Sequence, residues 1–195
     1  MLYVGQLIER KGLGPFMRSL GQWAEGHSQQ CIEFWVVGDG PMRTVLQKIA
    51  TPKNLAVKFF GNVPYGSLPS IYAQAGICVL PTLADTWALV VNEALSSGLP
   101  VLGSVYSQAV EQLVRDGENG WTYRPDAPGQ TKQALDRALL ADTGKLSRMR
   151  EAARESVSWL TPEYAAAQFI KAVALARSGA ASLDRRPTEA AVRHT

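Results

Sequence analysis

The pattern of the chain predicts an α/β fold in which a parallel sheet is covered by helices on both faces. Three observations predict it. Short apolar runs alternate with helical patterns from one end of the chain to the other, the order that a doubly wound layer structure requires. Most of those runs are continuously apolar instead of alternating, as strands covered on both faces are. The chain has 195 residues with 46% hydrophobic composition, enough for one well-buried domain.

The strand candidates, in order, are Leu2–Gly5, Ile32–Val37, Ala56–Phe60, Ile77–Leu80, Pro100–Leu102 and Gly120–Tyr123, which make a sheet of six. Helical patterns fill the intervals at Gly14–Glu25, Met42–Ala50, Ser67–Ala75, Trp87–Ser97, Gln108–Arg115 and Ala127–Ala141. Two extra helices follow, Lys145–Ser158 and Pro162–Arg177. Pro41 and Pro162 stand where a first helical turn tolerates proline. No internal repeat and no Gly/Ser linker interrupts the pattern, so residues 1–177 read as one domain. Residues 178–195, rich in alanine, arginine and small polar residues, read as a disordered tail.

Composition excludes several classes. The net charge is +3 and the charges are scattered, so no nucleic acid partner is expected. Cys31 and Cys78 lie far apart in apolar surroundings and read as two reduced core thiols of a cytosolic protein. His27 and His194 stand outside any cluster with ligand spacing, so no metal site is expected. No apolar run approaches the roughly 20 residues that span a bilayer. Met1 leads straight into the strand pattern Leu2-Tyr3-Val4, so no signal peptide is expected and the location is read as cytoplasmic.

In a doubly wound sheet, ligands bind outside the carboxyl ends of the strands. The turns there are Gly5 to Gly12, Gly38 to Pro41, Gly61 to Pro64 and Pro81 to Trp87, and the fold brings all four to one edge. A helix from Trp87 would bury Trp87, Val90, Val91, Ala94 and Leu95, leaving Glu93 off that stripe and Asp85 just before its first turn. Eight residues of helix separate the two acids by roughly 12 Å. Paired glycosidase carboxylates sit about 5–9.5 Å apart. Asp85 and Glu93 therefore read as hydroxyl acceptors at two ends of an extended polyol, with a helix N-terminus for phosphate between them. The plainer alternative is that Asp85 or Thr86 caps the helix and Glu93 is solvated.

Lys11 would point into the same cleft as a phosphate cation, while Arg10, its neighbour, is expected to diverge. A solvated surface lysine is the plainer alternative. Gly12 permits a tight turn. Gly38-Asp39-Gly40-Pro41 reads as a plain strand-to-helix turn, and neither GxGxxG nor GxxxxGKS occurs. Trp35, Trp121 and Trp159 read as core residues.

The run from Asp85 to Leu95, continuing to Val101, resembles the E-x7-E signature of family 4 (group 1) glycosyltransferases. Five further blocks agree in order and spacing: Val4-Gly5-Gln6-Leu7 with Lys11-Gly12; Val37 to Pro41; Phe60-Gly61-Asn62-Val63; Tyr72 to Ala75 leading to Val79-Leu80-Pro81; and Asp116 to Gly120. The resemblance covers roughly residues 2–177.

It implies the Rossmann-like C-terminal half of a GT-B enzyme, which binds the NDP-sugar donor, takes no cofactor and no metal, and transfers a hexosyl group with retention. By resemblance, Lys11 holds the diphosphate with the backbone N–H groups of Ala88 and Leu89. Glu93 accepts from the ribose, Asp85 contacts the donor sugar, and Asn62 and Val63 lie beside the base. Gly5, Gln6, Thr86 and Trp87 complete the wall, and Asp85 and Glu93 are the expected catalytic acids. Three residues depart from the family pattern: Gln6 replaces an arginine, Asp85 a glutamate and Ala88 a glycine.

The resemblance also implies an acceptor-binding N-terminal domain that this chain lacks. The chain alone is therefore expected to be inactive. Any membrane-surface contact would run through that other domain. An apolar stripe on the last helix (Ala166, Phe169, Ile170, Val173) would give weak self-association. The alternatives are a non-catalytic nucleotide-sugar-binding module and an α/β phosphate-binding domain of another class, such as an epimerase. The E-x7-E-like run argues against the last.

Overall fold

The computed structural model describes residues 1–178. Its strands are β1 (Leu2–Val4), β2 (Ile32–Val37), β3 (Leu55–Gly61), β4 (Cys78–Leu80), β5 (Val101–Ser104) and β6 (Gly120–Tyr123). Its helices are α1 (Leu13–Gly26), α2 (Arg43–Gln47), α3 (Leu68–Gln74), α4 (Leu89–Ser96), α5 (Gln108–Leu113), α6 (Gln130–Leu139), α7 (Thr143–Val157) and α8 (Pro162–Ser178). The six strands form one sheet in the order β3-β2-β1-β4-β5-β6. Every adjacent pair is parallel. This is the expected doubly wound, Rossmann-like sheet.

Continuously apolar strands explain the two layers. Tyr3, Phe34, Val36 and Val79 face one layer, where Phe16 and Trp23 of α1 and Leu135 of α6 cover them. Leu2, Val37, Cys78 and Leu80 face the other, covered by Tyr72 of α3, Val91 and Leu95 of α4, Val110 of α5 and Ala153 of α7. Burying a large apolar side chain of this kind stabilises the fold by about 1.5–3 kcal/mol. Strand order reverses direction between β1 and β4, and a crevice opens at such a point outside the strand ends.

Contacts gather Met1–Val157 into one compact unit and set Ser158 onward apart. The described part of the second unit consists of α8 with the segment leading into it. Pro162 is its first residue, as expected, and its Phe169, Ile170 and Val173 are exposed. The tail read at 178–195 lies, Ser178 apart, outside the described residues. Among the described residues no helix is long and apolar enough to cross a membrane.

Four local expectations are corrected. The helix expected from Trp87 begins at Leu89, because Ala88 takes an extended conformation (φ −94°, ψ 99°) as its N-cap. Trp87 therefore lies outside the buried stripe, 41% exposed, with its indole N–H donating to the Asn92 side chain at 3.1 Å. Pro41 sits in a turn ahead of α2 and not in its first turn. Cys31 is exposed, just before β2, and only Cys78 is a core thiol. Trp159 is also exposed, set edge-on to Tyr164, whereas Trp121 is fully buried.

Candidate functional site

Two loops meet at the switch point. One follows β1 and runs from Gly5 to Gly12; the other follows β4 and runs from Pro81 to Ala88. Backbone pairing ties them together. The Leu83 N–H donates to the Arg10 carbonyl at 2.9 Å. The fully buried Thr82 hydroxyl is shared between the carbonyls of Arg10 (3.2 Å) and Ala84 (3.0 Å). Gly12 makes the approach possible: its φ is +67°, and a Cβ there would run into the Pro81 carbonyl oxygen. The Gly38 turn closes on the first loop in the same way, since a Cβ at Gly38 would strike the Gly5 carbonyl. From below, the buried Tyr3 hydroxyl donates to the Gln6 carbonyl at 2.8 Å.

This lacing sets Asp85. Its backbone N–H donates to the Tyr106 carbonyl at 2.8 Å, which ties the loop to the turn after β5. Its carboxylate is ion-paired with the Lys11 ammonium and lies 3.9 Å from the Arg10 guanidinium. The Asp85 side chain is only 8% exposed and that of Lys11 16%, so this pair has little access to water. Such a pair stands because each charge neutralises the other; removing either one leaves the survivor poorly solvated. Arg10 does not diverge as expected. Its long side chain folds back from the short 3-10 turn Glu9–Lys11 and donates to the Ala84 carbonyl at 2.6 Å. Arg10, Asp85, Thr86, Tyr106, Gln108 and Glu111 line an open cleft of about 700 Å³.

Glu93 belongs to a different wall. It sits on α4, half-buried, and its Oε2 accepts a hydrogen bond from the Tyr72 hydroxyl of α3 at 2.8 Å. Burial, with the neighbouring Cys78 and Glu93, pushes the Tyr72 phenol far above its ordinary range, so it remains a donor. Glu93, Asn92, Ser96, Tyr72 and Tyr65 line a smaller pocket of about 290 Å³. The two acids therefore line separate cavities.

The remaining expected residues fall around this frame. Thr86 and Trp87 are exposed in the turn before α4, Ala88 is buried as its N-cap, and Leu89 is exposed in its first turn. An α-helix leaves its first N–H groups without partners inside the helix, and those of α4 follow directly on the Asp85 loop. Gly5 is half-buried and Gln6 exposed at the end of β1. Asn62 is exposed and Val63 half-buried after β3; neither lines the two pockets described. Among the described residues no group of His, Cys, Asp and Glu could hold a metal.

Three residues near the site escaped the sequence reading. Arg10 was visible but was set aside because of its adjacency to Lys11. Tyr72 carried the pattern of a core residue, which it is, and nothing local marks its hydroxyl. Tyr106 is braced by Asp126 at 2.7 Å and Arg124 at 3.1 Å, partners that only the fold supplies.

Comparison with known proteins agrees with this frame. An uncharacterized glycosyltransferase of Methanocaldococcus jannaschii is 27% identical over 141 residues, 71% of this chain and 35% of the relative. The chain spans well under half the length of such curated relatives. A pneumococcal O-GlcNAc transferase, GtfA, solved with UDP and GlcNAc, superimposes with a TM-score of 0.72 at 18% identity, covering 88% of this chain and 34% of that one. The C-terminal domain of a group 1 glycosyl transferase, LpcC of Francisella tularensis, superimposes with a TM-score of 0.67 at 21% identity, covering 80% of this chain and 83% of that domain. The model of the family described as glycosyl transferases group 1 matches residues 1–156. That match spans well over half of the chain and takes in the whole doubly wound sheet, so this protein is a member of the group 1 glycosyl transferase family.

Proposed function

We propose that this chain binds a nucleoside-diphosphate sugar as the donor domain of a retaining, metal-independent glycosyltransferase that moves a hexosyl group. The observation that carries the reading is the Lys11–Asp85 ion pair at the switch point of the sheet, on the loop that leads into α4, the helix that bears Glu93. Lys11 and the N–H groups of Ala88 and Leu89 hold the diphosphate, where the end of the helix favours an anion. Glu93 accepts from the ribose hydroxyls. Asp85 contacts the sugar in the larger cleft. Asn62 and Val63 lie beside the base; Gly5, Gln6, Thr86 and Trp87 complete the wall. The solved likeness that carries UDP and GlcNAc supports a ligand of this class.

As the sugar–phosphate bond breaks, negative charge grows on the leaving diphosphate. Lys11 and the α4 amides are fixed in place to stabilise it, which is the larger part of what such a site contributes. Lys11 must then exchange Asp85 for phosphate, or bridge the two. Attack on the sugar requires an acceptor held in line, and positioning of that kind is worth roughly 7–11 kcal/mol. An acceptor-binding domain supplies it. The further partner is a second copy of the chain, held weakly through exposed Phe169, Ile170 and Val173.

The test is titration calorimetry of the chain with UDP, GDP and ADP and their sugars, followed by transfer assays with and without an acceptor domain. Binding without turnover in every pairing would favour the non-catalytic module. Robust turnover by the chain alone would overturn its reading as one half of an enzyme.

A further inference from the structure

The Tyr72–Glu93 hydrogen bond joins α3 to α4. Tyr72 is 2% exposed, on α3, while Glu93 is on α4. A buried phenol needs an acceptor, and any backbone carbonyl would satisfy it. Here the acceptor is a half-buried carboxylate that lines a pocket, and the Tyr72 ring lines the same pocket. A glutamate on a helix surface is free to rotate about its side-chain bonds. One bond from a rigid, buried donor to Oε2 removes that freedom and leaves Oε1 to accept from a ligand. Because burial keeps the phenol protonated, the contact persists over the working pH range.

We propose that Tyr72 is a positioning residue that holds the Glu93 carboxylate in the orientation in which it receives the vicinal hydroxyls of a ribose. The proposal rests on the reading that this pocket takes the ribose of the donor. Tyr72 does not touch the reacting atoms; it acts through Glu93. Its contribution is confined to ligands that carry those hydroxyls.

The experiment is calorimetry of the full chain with UDP, GDP and ADP, each beside its 2′,3′-dideoxy counterpart, for the parent, Tyr72→Phe, Glu93→Gln and the double variant. Thermal melts check that each variant folds. Tyr72→Phe is expected to weaken the ribonucleoside diphosphate by about tenfold and to leave the dideoxy compound unchanged. In the Glu93→Gln background it costs nothing more. Equal losses for both sugars, additive losses in the double variant, or no loss for the ribonucleotide would each overturn the positioning role. If Glu93→Gln leaves ribonucleotide binding unaltered, or the parent binds none of the three, the ribose reading itself fails and Tyr72 falls with it. Glu93→Gln weakening beside a silent Tyr72→Phe removes Tyr72 alone.

Discussion

The Asp85 and Glu93 ends of the candidate site are built from different materials. At the Asp85 end, two loops cross, tied by backbone bonds and the buried Thr82 hydroxyl, and the acid is already neutralised by Lys11 with Arg10 nearby. At the Glu93 end, a side chain of α3 meets one of α4, and the acid has one neutral donor, Tyr72. On the proposed reading, a diphosphate entering the first arrangement must displace or join an ion pair, whereas a ribose entering the second meets a carboxylate already held by Tyr72. The cation would then set how tightly the diphosphate is held, and the phenol which hydroxyls are accepted.

The largest way to break the comparison is to unlace the loops. Gly12→Ala places a Cβ where the Pro81 carbonyl stands, at a φ of +67°. Loss of about 3 kcal/mol of stability is expected from a strained non-glycine residue at such a φ with that obstruction, read as a lower urea midpoint. A variant that unfolds like the parent would show that the loop crossing is not what holds Lys11 and Asp85 together.

Next come the charges. Lys11→Ala should weaken nucleoside diphosphate binding by about 1.5–3 kcal/mol, the usual worth of a charge-assisted bond in a partly dry site. It should also destabilise the free chain, because Asp85 is left 8% exposed without its ion-pair partner. Removing Asp85 as well should restore part of that stability. Asp85→Ala alone should affect the nucleotide sugar more than the nucleotide. Titrations of both ligands, beside urea melts, check all three outcomes.

Salt separates the two ends more finely. Raising ionic strength from about 0.05 M to about 0.5 M shortens the screening length severalfold. The Lys11→Ala deficit should shrink with it, since the diphosphate contact is between full charges. The deficit of Glu93→Ala should persist, since ribose hydroxyls are neutral. Equal responses to salt would mean that the two ends do not differ as described.

The smallest expected effect concerns the core thiol behind Glu93. Burial, with a further push from the Glu93 charge, raises the Cys78 thiol from 9.0 to about 12. The unfolded chain ionises this thiol first, so its contribution to stability is complete below pH 9.0 and is lost as pH climbs towards about 12. In the native chain at mildly alkaline pH, alkylation should therefore mark the exposed Cys31 and spare Cys78. Labelling of both at equal rates would show that the layer around Glu93 opens readily.

The sheet was legible because it is written locally. Continuous apolar runs mark strands such as Ile32–Val37 and Gly120–Tyr123, whose bounds agree with the structure residue for residue. Trp87 was misread because helical periodicity does not announce where a helix begins; the extended Ala88 starts it two residues later, at Leu89. The convergence of the loops at the strand ends was legible.

What the sequence determined by itself is therefore the layer order, the edge of the sheet at which the loops converge, and the residue types that stand there. Those follow from periodicity and from turn residues within a few positions of one another. Only the tertiary structure decided who meets whom. Lys11 and Asp85 are 74 residues apart and Tyr72 and Glu93 are 21 apart, on separate elements. No local propensity encodes such a pairing. It arises because parallel strands place their carboxyl ends side by side, and the packing of separate elements decides which charges and hydroxyls meet there.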